Sequence, residues 1–365
     1  MGLLFAREIM SRPKFTYRKL MVSALFIVLV VITRSQSTLA TVAYILIFVL
    51  CARDLNFKKI AKLSLWLSCL TVAFIVASAY LGIIDNYKYV QGTRIRYYLG
   101  FRYSLFGPAF LFNITGLFLY LKKDGVKWIE LLVLSVINYW MFAETDSRLS
   151  FYLSLMMIIL FAVLKLFPKL LDGWNWVWRL LIFSFLIGFA VSVGFTALYD
   201  SSVPWQKQLN KTLESRLSLG QQSLQENGVN LFGQDLTFVG NGLDAYGEKN
   251  TEDKYNYVDS FYIQIMQRYG LVFITAWICL LTVALYHYYK LKDYHMMICL
   301  SMIAAHCIVD DLSLSLHYNT FWFALTVVFS GMKKSVDCVN IASTNDDCTL
   351  DDTLYEIEYG KAKID

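Results

Sequence analysis

The sequence is poor in charged residues and in proline. Asp, Glu, Lys and Arg together make up 17% of the 365 residues, and only 4 residues are proline. Hydrophobic residues make up 57% and aromatic residues 16%, which lies outside the usual range of soluble domains. The composition therefore argues against a soluble globular domain and predicts an integral membrane protein.

Several catalytic motifs are also missing. The sequence contains no Walker phosphate loop, no dinucleotide-binding glycine fingerprint, no HExxH and no GxSxG. ATP-driven transport, redox chemistry, metalloprotease and serine-hydrolase activity therefore lack support. No D-x-D pair, which a metal-dependent sugar transferase would need for its cation, lies in the segments expected on the outer side. We expect no metal ion, no other cofactor and no nucleic-acid partner.

Long, almost uncharged runs recur along the chain, such as LSLWLSCLTVAFIVASAYLGII at 63–84. Each is long enough, at 1.5 Å per helical residue, to cross about 30 Å of hydrocarbon. They predict an all-α polytopic membrane protein with about ten transmembrane helices, at roughly 18–34, 37–52, 63–84, 105–121, 128–143, 149–166, 176–199, 271–289, 294–311 and 318–332.

Lysine and arginine residues indicate the orientation. With a cytoplasmic N-terminus, most of them fall on the cytoplasmic side, including Arg7, Arg12, Lys14, Arg53, Lys58, Lys122, Lys123, Lys165, Lys169, Lys290, Lys333 and Lys334. The chain then divides into about seven N-terminal spans (1–199), a large extracytoplasmic loop (200–270), about three C-terminal spans (271–332) and an acidic cytoplasmic tail (333–365).

The large loop carries two helical patterns. Apolar residues recur every four positions in VPWQKQLNKTLESRLSLGQQSLQ (203–225), which predicts one amphipathic helix with the stripe Trp205, Leu209, Leu213 and Leu217. Arg216 falls on the inward, apolar face of that helix. The segment YNYVDSFYIQIMQRYG (255–270) predicts a second, interfacial helix that leads into the next span.

Arginines on the expected outer side run against the usual cytoplasmic excess of basic residues; they are Arg94, Arg96, Arg102, Arg148 and Arg216. A guanidinium presents a planar fork of donors that can bind two oxygens of one phosphate. The alternatives are headgroup anchoring in an aromatic belt for the first three, snorkelling for Arg148, and an internal ion pair with Asp259 for Arg216.

Few other residues on this side have catalytic potential. His317 opens the tenth predicted span, where it could act as a base or orient a hydroxyl. Asp310 and Asp311 are adjacent, so on a helix they would point about 100° apart and make a poor shared site. The other histidines are expected to be a hydrogen-bonded core residue (His306) and two solvated cytoplasmic residues (His287 and His295).

Four segments together resemble motifs of the Wzy-type polysaccharide polymerases, which are related to the O-antigen ligases. They are YYLGFRYSLFGPAFLF (97–112), TDSRLSFYLSL (145–155), ESRLSLGQQSLQENGVNLFGQ (214–234) and YVDSFYIQIMQRYGLV (257–272). They occur in the order that the family shows. The chain departs from the family where Leu105-Phe106-Gly107-Pro108 stands in place of a proline followed by asparagine, and in having fewer spans than many relatives.

The resemblance implies a GT-C-like enzyme of the bacterial cytoplasmic membrane that joins lipid-linked repeat units into capsular, exopolysaccharide or O-antigen chains. Donor and acceptor would both be oligosaccharides on undecaprenyl diphosphate, and no metal would take part. The resemblance implies that Arg148 and Arg216 bind the diphosphate. Arg94, Arg96 and Arg102 would line the path by which the donor approaches. Asp259 or His317 would orient or deprotonate the acceptor hydroxyl. The implied partners are the bilayer and the pathway's flippase and chain-length regulator.

Other functions remain open from the sequence. A flippase or transporter of lipid-linked oligosaccharides would show internal repeats, broken helices and ionisable residues at mid-membrane, whereas the charges here are expected at the outer edge. A ligase that hands a finished glycan to another acceptor would share the same motifs. A scaffold or sensor without activity gives no reason for the arginine placement.

Overall fold

The computed structural model describes residues 17–36, 41–91, 94–244, 247–248 and 255–329. The basic residues Arg7, Arg12, Lys14, Lys333 and Lys334 and the acidic tail 333–365 lie outside the described residues, so the predictions made for them stay predictions.

Helices account for most of the described chain. In chain order they are α1 (Tyr17–Gln36), α2 (Thr41–Cys51), α3 (Phe57–Tyr80), α4 (Phe106–Lys122), α5 (Trp128–Thr145), α6 (Arg148–Leu166), α7 (Leu170–Gly173), α8 (Asn175–Leu181), α9 (Ser184–Ala197), α10 (Pro204–Thr212), α11 (Arg216–Asn227), α12 (Phe261–Lys290) and α13 (Tyr294–His306). The chain also contains 3-10 segments, which lie at Lys123–Gly125 between α4 and α5, and at Leu312–Leu314 and Thr320–Phe329 after α13.

The expected number of spans is wrong. Among the described residues, α3, α6 and α12 are long and apolar enough to cross a membrane, and the pair α8 and α9, bent by 58°, would count as a fourth. Helices α2 and α13 have 11 and 13 residues, so they rise only about 16 and 20 Å. The ninth expected span loses its helix at His306, and the tenth is a 3-10 segment. Hydropathy reveals an apolar run but not where its helix ends.

An antiparallel hairpin makes the structure depart from the all-α expectation. Strand β1 (Lys88–Gln91) pairs with β2 (Arg94–Tyr97), with Tyr89 opposite Arg96. Side chains alternate between the two faces of a strand, so the sequence RIRY places both arginines on one face and Ile95 on the other. The hairpin therefore delivers Arg94 and Arg96 as a pair.

The core is built around α12. Its aromatic side chains stack with the 3-10 segment at the C-terminal end of the described chain, where the rings of Phe261 and Trp322 lie 5.7 Å apart. Phe273 and Trp277 continue the stack at 6.0 Å, and both are fully buried. Helix α3 has the opposite character, since Phe74 on it is 74% exposed. In a membrane protein such a face contacts lipid.

Helix α12 is broken at Gly270, whose φ of 88° is left-handed. The loop before it supplies acceptors for the donors freed by the break, because Leu271 N donates to Asn230 O at 3.1 Å and Val272 N to Leu231 O at 3.0 Å. A break in an apolar helix is tolerated only where neighbouring groups satisfy its backbone in this way.

The two loop helices differ from their predictions. Glu214 and Ser215 have φ values of 55° and 68°, so the expected helix over 203–225 is divided into α10 and α11. The Asn210 side chain caps the second piece by accepting from Leu217 N and Ser218 N, each at 3.1 Å. The second predicted helix begins only at Phe261 and is buried throughout its first turns, so it is not interfacial.

Candidate functional site

Charged side chains gather at the end of the bundle that carries the hairpin, and we call this the polar end. One group, the hairpin cluster, consists of Arg94, Arg96, Arg148, Asp146 and Glu214. Arg94 Nε donates to Asp146 Oδ2 and Arg94 Nη1 to Glu214 Oε1. Arg96 Nη2 donates to the same Glu214 oxygen at 2.5 Å, and Arg148 Nε lies 3.4 Å from Asp146 Oδ1. Three cations thus share two carboxylates.

The carboxylates of the hairpin cluster stay ionised. Burial raises the pKa of Asp146, but its hydrogen bond and charge interaction with Arg94 outweigh this and bring the pKa below its ordinary value. The same balance lowers the pKa of Glu214 between Arg94 and Arg96. Arg94 Nη2 and Arg96 Nε are buried without a hydrogen-bond partner among the described residues. The cluster therefore keeps spare donors.

The second group, the buried acidic cluster, consists of Arg216, Asp259, Asp310, Asp311 and Tyr257. Arg216 Nε donates to Asp259 Oδ2 at 2.8 Å, and both side chains are mostly buried. Asp311 accepts from the Tyr257 hydroxyl at 2.5 Å and also from Gln264 Nε2 at 2.7 Å. Asp310 accepts from Leu312 N at 2.8 Å.

Burial affects the pKa values of this cluster differently from one group to the next. It would lower the pKa of Arg216, but Asp259 outweighs it and the pKa rises, so Arg216 stays charged. Burial raises the pKa of Asp310 to about 7, with Arg216 and the Leu312 amide acting against the rise. Burial and the neighbouring Asp310 raise the pKa of Asp311 to about 8. Asp310 is therefore poised to exchange a proton near neutral pH.

Two tyrosines connect the clusters. Burial and the charge of Asp259 raise the pKa of Tyr103, whereas Arg216 and Arg96 act to lower it. Burial and Asp259 likewise raise the pKa of Tyr255, which also feels Arg216 and Glu214. Because the pKa of each hydroxyl is affected by charges of both clusters, the two clusters interact electrostatically.

The histidines are only partly as predicted. His306 is a hydrogen-bonded core residue, as expected, because Nε2 lies 3.3 Å from Ser150 Oγ. Its Nδ1 lies 3.8 Å from Asp310 Oδ1 and has no hydrogen-bond partner among the described residues. His287 and His295 are each 6% exposed, so their expected solvation is wrong. Both are buried among helices, and His295 Nε2 lies 3.2 Å from Asp124 Oδ1.

Of the residues proposed from the sequence, Arg94, Arg96 and Arg148 come together, and Arg216 lies beside Asp259 as the alternative reading anticipated. Arg102 is exposed, and its side chain makes no polar contact within the described part of the chain. His317 is also exposed, with its ring against Phe110 and Tyr318 at 5.6 and 4.1 Å.

Sequence reasoning missed Asp310 and Asp311. The helix ends at His306, so the pair lies in a turn and not on a helix face, and both carboxylates enter the same cluster. Glu214 and Asp146 were also overlooked as counter-ions. Two neighbouring acids directly after an apolar run are a signal that could have found the first pair, since such a position is costly for unpartnered charge.

No group of three metal-ligating side chains is placed to hold an ion within the described ranges. Comparison of the chain with protein-family models, with curated proteins and with solved structures gave no match. The candidate site therefore has to be interpreted from its own geometry.

Proposed function

We propose that the chain is a membrane glycosyltransferase that polymerises lipid-linked oligosaccharides, as its resemblance to Wzy-type polymerases implies. One observation carries the proposal: Arg94, Arg96, Arg148 and Arg216 converge at one end of an apolar helical bundle, beside a buried carboxyl group, Asp310, with a pKa near neutrality. A diphosphate leaving group requires fixed cations, and an attacking hydroxyl requires a base.

The proposed location is the bacterial cytoplasmic membrane, with both termini in the cytoplasm and the polar end outside. Basic side chains at the other end of the bundle favour this orientation. Lys123 pairs there with Asp293 at 3.1 Å, and Lys165 donates to the carbonyl of Val126.

The proposed reaction is a direct glycosyl transfer. A hydroxyl oxygen of the acceptor repeat unit attacks the anomeric carbon of a glycan carried on undecaprenyl diphosphate. The bond between that carbon and the diphosphate oxygen breaks, the hydroxyl proton passes to a carboxylate, and undecaprenyl diphosphate leaves. The product is a longer glycan on the acceptor's lipid.

The arginines support two different steps. The hairpin cluster retains a net positive charge and unpaired donors on Arg94 and Arg96, which favours capture of the diphosphate. Arg216 is already paired with Asp259, so the developing diphosphate charge competes with that carboxylate for the guanidinium. Arg102 is exposed, so it can line the path by which the donor approaches.

The base is best assigned to Asp310. Asp259 is held by Arg216, and His317 has no polar partner in the described structure. Burial raises the pKa of Asp310 to about 7. A general base near its pKa at working pH is the most effective.

The deciding experiment is reconstitution of the purified protein with lipid-linked repeat units in the presence of a chelator. A ladder of repeat multiples on a gel supports polymerisation. Asp310→Asn and Arg216→Lys should abolish the ladder, whereas Glu226→Gln, a change at an exposed carboxylate on α11, should leave it intact. Full ladders from both site variants would overturn the assignment.

A flippase or transporter is the second candidate, and two observations favour it. Helix α12 is broken at Gly270, and α8 and α9 meet at a 58° bend; broken helices and buried ionisable residues are typical of transporters. In the same vesicles, movement of labelled lipid across the bilayer without a ladder would support this function. Transfer of a finished glycan to a different acceptor, with no ladder, would support a ligase.

A further inference from the structure

Arg268 on α12 is a buried cation that forms no hydrogen bond with either cluster in the described structure. Its side chain is 5% exposed, and Nε and Nη1 have no hydrogen-bond partner within the described ranges. No carboxylate of the described chain forms an ion pair with it. Asp235 and Asp311 favour its charge without forming an ion pair with it. The two buried donors therefore stay unsatisfied, which is costly unless a ligand from outside the chain supplies acceptors.

Specific side chains surround the Arg268 guanidinium. The ring of Phe238 covers the guanidinium, with its centroid 4.6 Å from Cζ. Asp311, an acid that senses Arg268, is already bonded to Tyr257 and Gln264. Neither Asp311 nor Asp235, which also acts on the charge of Arg268, forms an ion pair with it, so the free donors of Arg268 under the aromatic ring remain for a ligand.

The backbone around Arg268 is held in place by two glycines. A Cβ added at Gly233 would lie 2.3 Å from Arg268 O, and one added at Gly270 would lie 2.4 Å from Gly233 N. Both glycines have left-handed φ values, 91° and 88°. The loop and the broken helix therefore touch backbone to backbone, and Gln234 N donates to Arg268 O at 3.2 Å.

This contact also brings together an exposed apolar patch beside the backbone of Arg268. Leu231 and Phe232 of the loop are 60% and 53% exposed, and Leu271 and Val272 of α12 are 38% and 40% exposed. The hydrogen bonds across the break hold these four residues, the loop patch, together. An apolar patch on a membrane protein at this position is suited to lipid chains.

We propose that Arg268 binds the phosphate of a membrane lipid whose acyl chains lie on the loop patch of Leu231, Phe232, Leu271 and Val272. The guanidinium fork matches two phosphate oxygens, and the patch favours a lipid over a free anion. The proposal does not depend on glycosyl transfer, because the site is defined by Arg268 and not by Arg216.

Native mass spectrometry of the full chain in a neutral detergent tests this site. The probes are dioleoyl phosphatidic acid, dioleoylglycerol as its counterpart without phosphate, and inorganic phosphate. We expect phosphatidic acid to bind more tightly than either, and Arg268→Gln to weaken it by about tenfold, the effect of losing one charge-assisted contact. Arg179→Gln, which removes an exposed arginine bonded to the Tyr289 hydroxyl, is the matched control and should bind as the wild type does.

A second variant separates the lipid from the anion. Replacing Leu231 and Phe232 together by serine changes exposed side chains, so the fold is retained, and it should weaken phosphatidic acid without changing inorganic phosphate. Equal binding of phosphatidic acid and dioleoylglycerol to the wild type would overturn the proposal even if Arg268→Gln fails to fold. Inorganic phosphate binding as tightly as phosphatidic acid would show a free-anion site and overturn the lipid assignment.

Discussion

The two charge clusters at the polar end compensate their positive charges differently. In the hairpin cluster, Arg94 and Arg96 share Glu214, whose side chain is 40% exposed, and Arg148 is 53% exposed. In the buried acidic cluster, Arg216 and Asp259 are 17% and 15% exposed and pair with each other. Solvent screens the first set of interactions but not the second.

This difference gives opposite responses to pH. The carboxylates of the hairpin cluster have lowered pKa values, so their contribution to stability is lost as the pH falls through those values. Asp310 and Asp311 have raised pKa values, so folding is favoured while they are protonated and stability falls as the pH rises. In the proposed function, the exposed charges would capture a ligand and the buried ones would transfer a proton.

Removing Arg216 should have the largest effect. Arg216→Met leaves Asp259 buried without its partner, and breaking such a pair typically costs about 3–5 kcal/mol. We expect a clear drop in the apparent melting temperature, together with loss of the polymer ladder. The melting temperature is measured in detergent by intrinsic tryptophan fluorescence.

The double variant Arg216→Met with Asp259→Asn is the control for this effect. It removes both charges, so it should recover much of the lost stability without restoring the ladder. If the double variant were no more stable than Arg216→Met, the ion pair would not be the source of the effect.

Asp310→Asn should remove part of the pH response. In the wild type, Asp310 and Asp311 make the folded state hold more protons than the unfolded state from about pH 7 to about pH 8, so the melting temperature should fall across that range. At lower pH the buried histidines His295 and His306, whose pKa values are lowered, act in the opposite direction. Polymer yield should rise as the pH increases through about 7, where Asp310 becomes a base. The Asp310→Asn variant should show a weaker dependence of the melting temperature on pH and no rise in polymer yield.

The control for this prediction is Asp311→Asn. It should also flatten the dependence of stability on pH, because the pKa of Asp311 is raised to about 8, while the rise in yield persists. A wild-type melting temperature that increases from pH 7 to pH 8 would contradict the assignment of both residues.

The sequence predicted a mostly helical structure with apolar helices long enough to cross a membrane, because this follows from composition and one-dimensional spacing. It could not predict the hairpin, since RIRY is too short to separate a strand from a loop. The division between α10 and α11 depends on left-handed Glu214 and Ser215, which are not glycines and carry no turn signal. Asp310 was missed because the helix ends at His306 although the apolar run continues to Val309, so the hydropathy pattern does not show that end.

Glu214→Gln should have an intermediate effect, and it acts on the hairpin cluster alone. The amide keeps the shape of the carboxylate but removes the charge between Arg94 and Arg96, so a competing anion should bind more tightly. We expect an approximately fivefold to tenfold lower apparent Kd for pyrophosphate, measured by calorimetry, as is typical of removing one competing charge. Glu226→Gln should leave the Kd unchanged, and a weaker affinity in Glu214→Gln would contradict the role of Glu214 as competitor.

Arg148 should show the smallest effect on stability and still matter for function. Its contact with Asp146 is long and its side chain is half exposed, so Arg148→Ala should change the free energy of unfolding by less than about 1 kcal/mol. Arg148→Lys keeps the charge but not the planar fork, so it should reduce polymer yield while the melting temperature stays at the wild-type value. Equal losses of stability and yield in Arg148→Ala would instead make Arg148 a structural partner of Asp146, and capture of the diphosphate would then rest on Arg94 and Arg96.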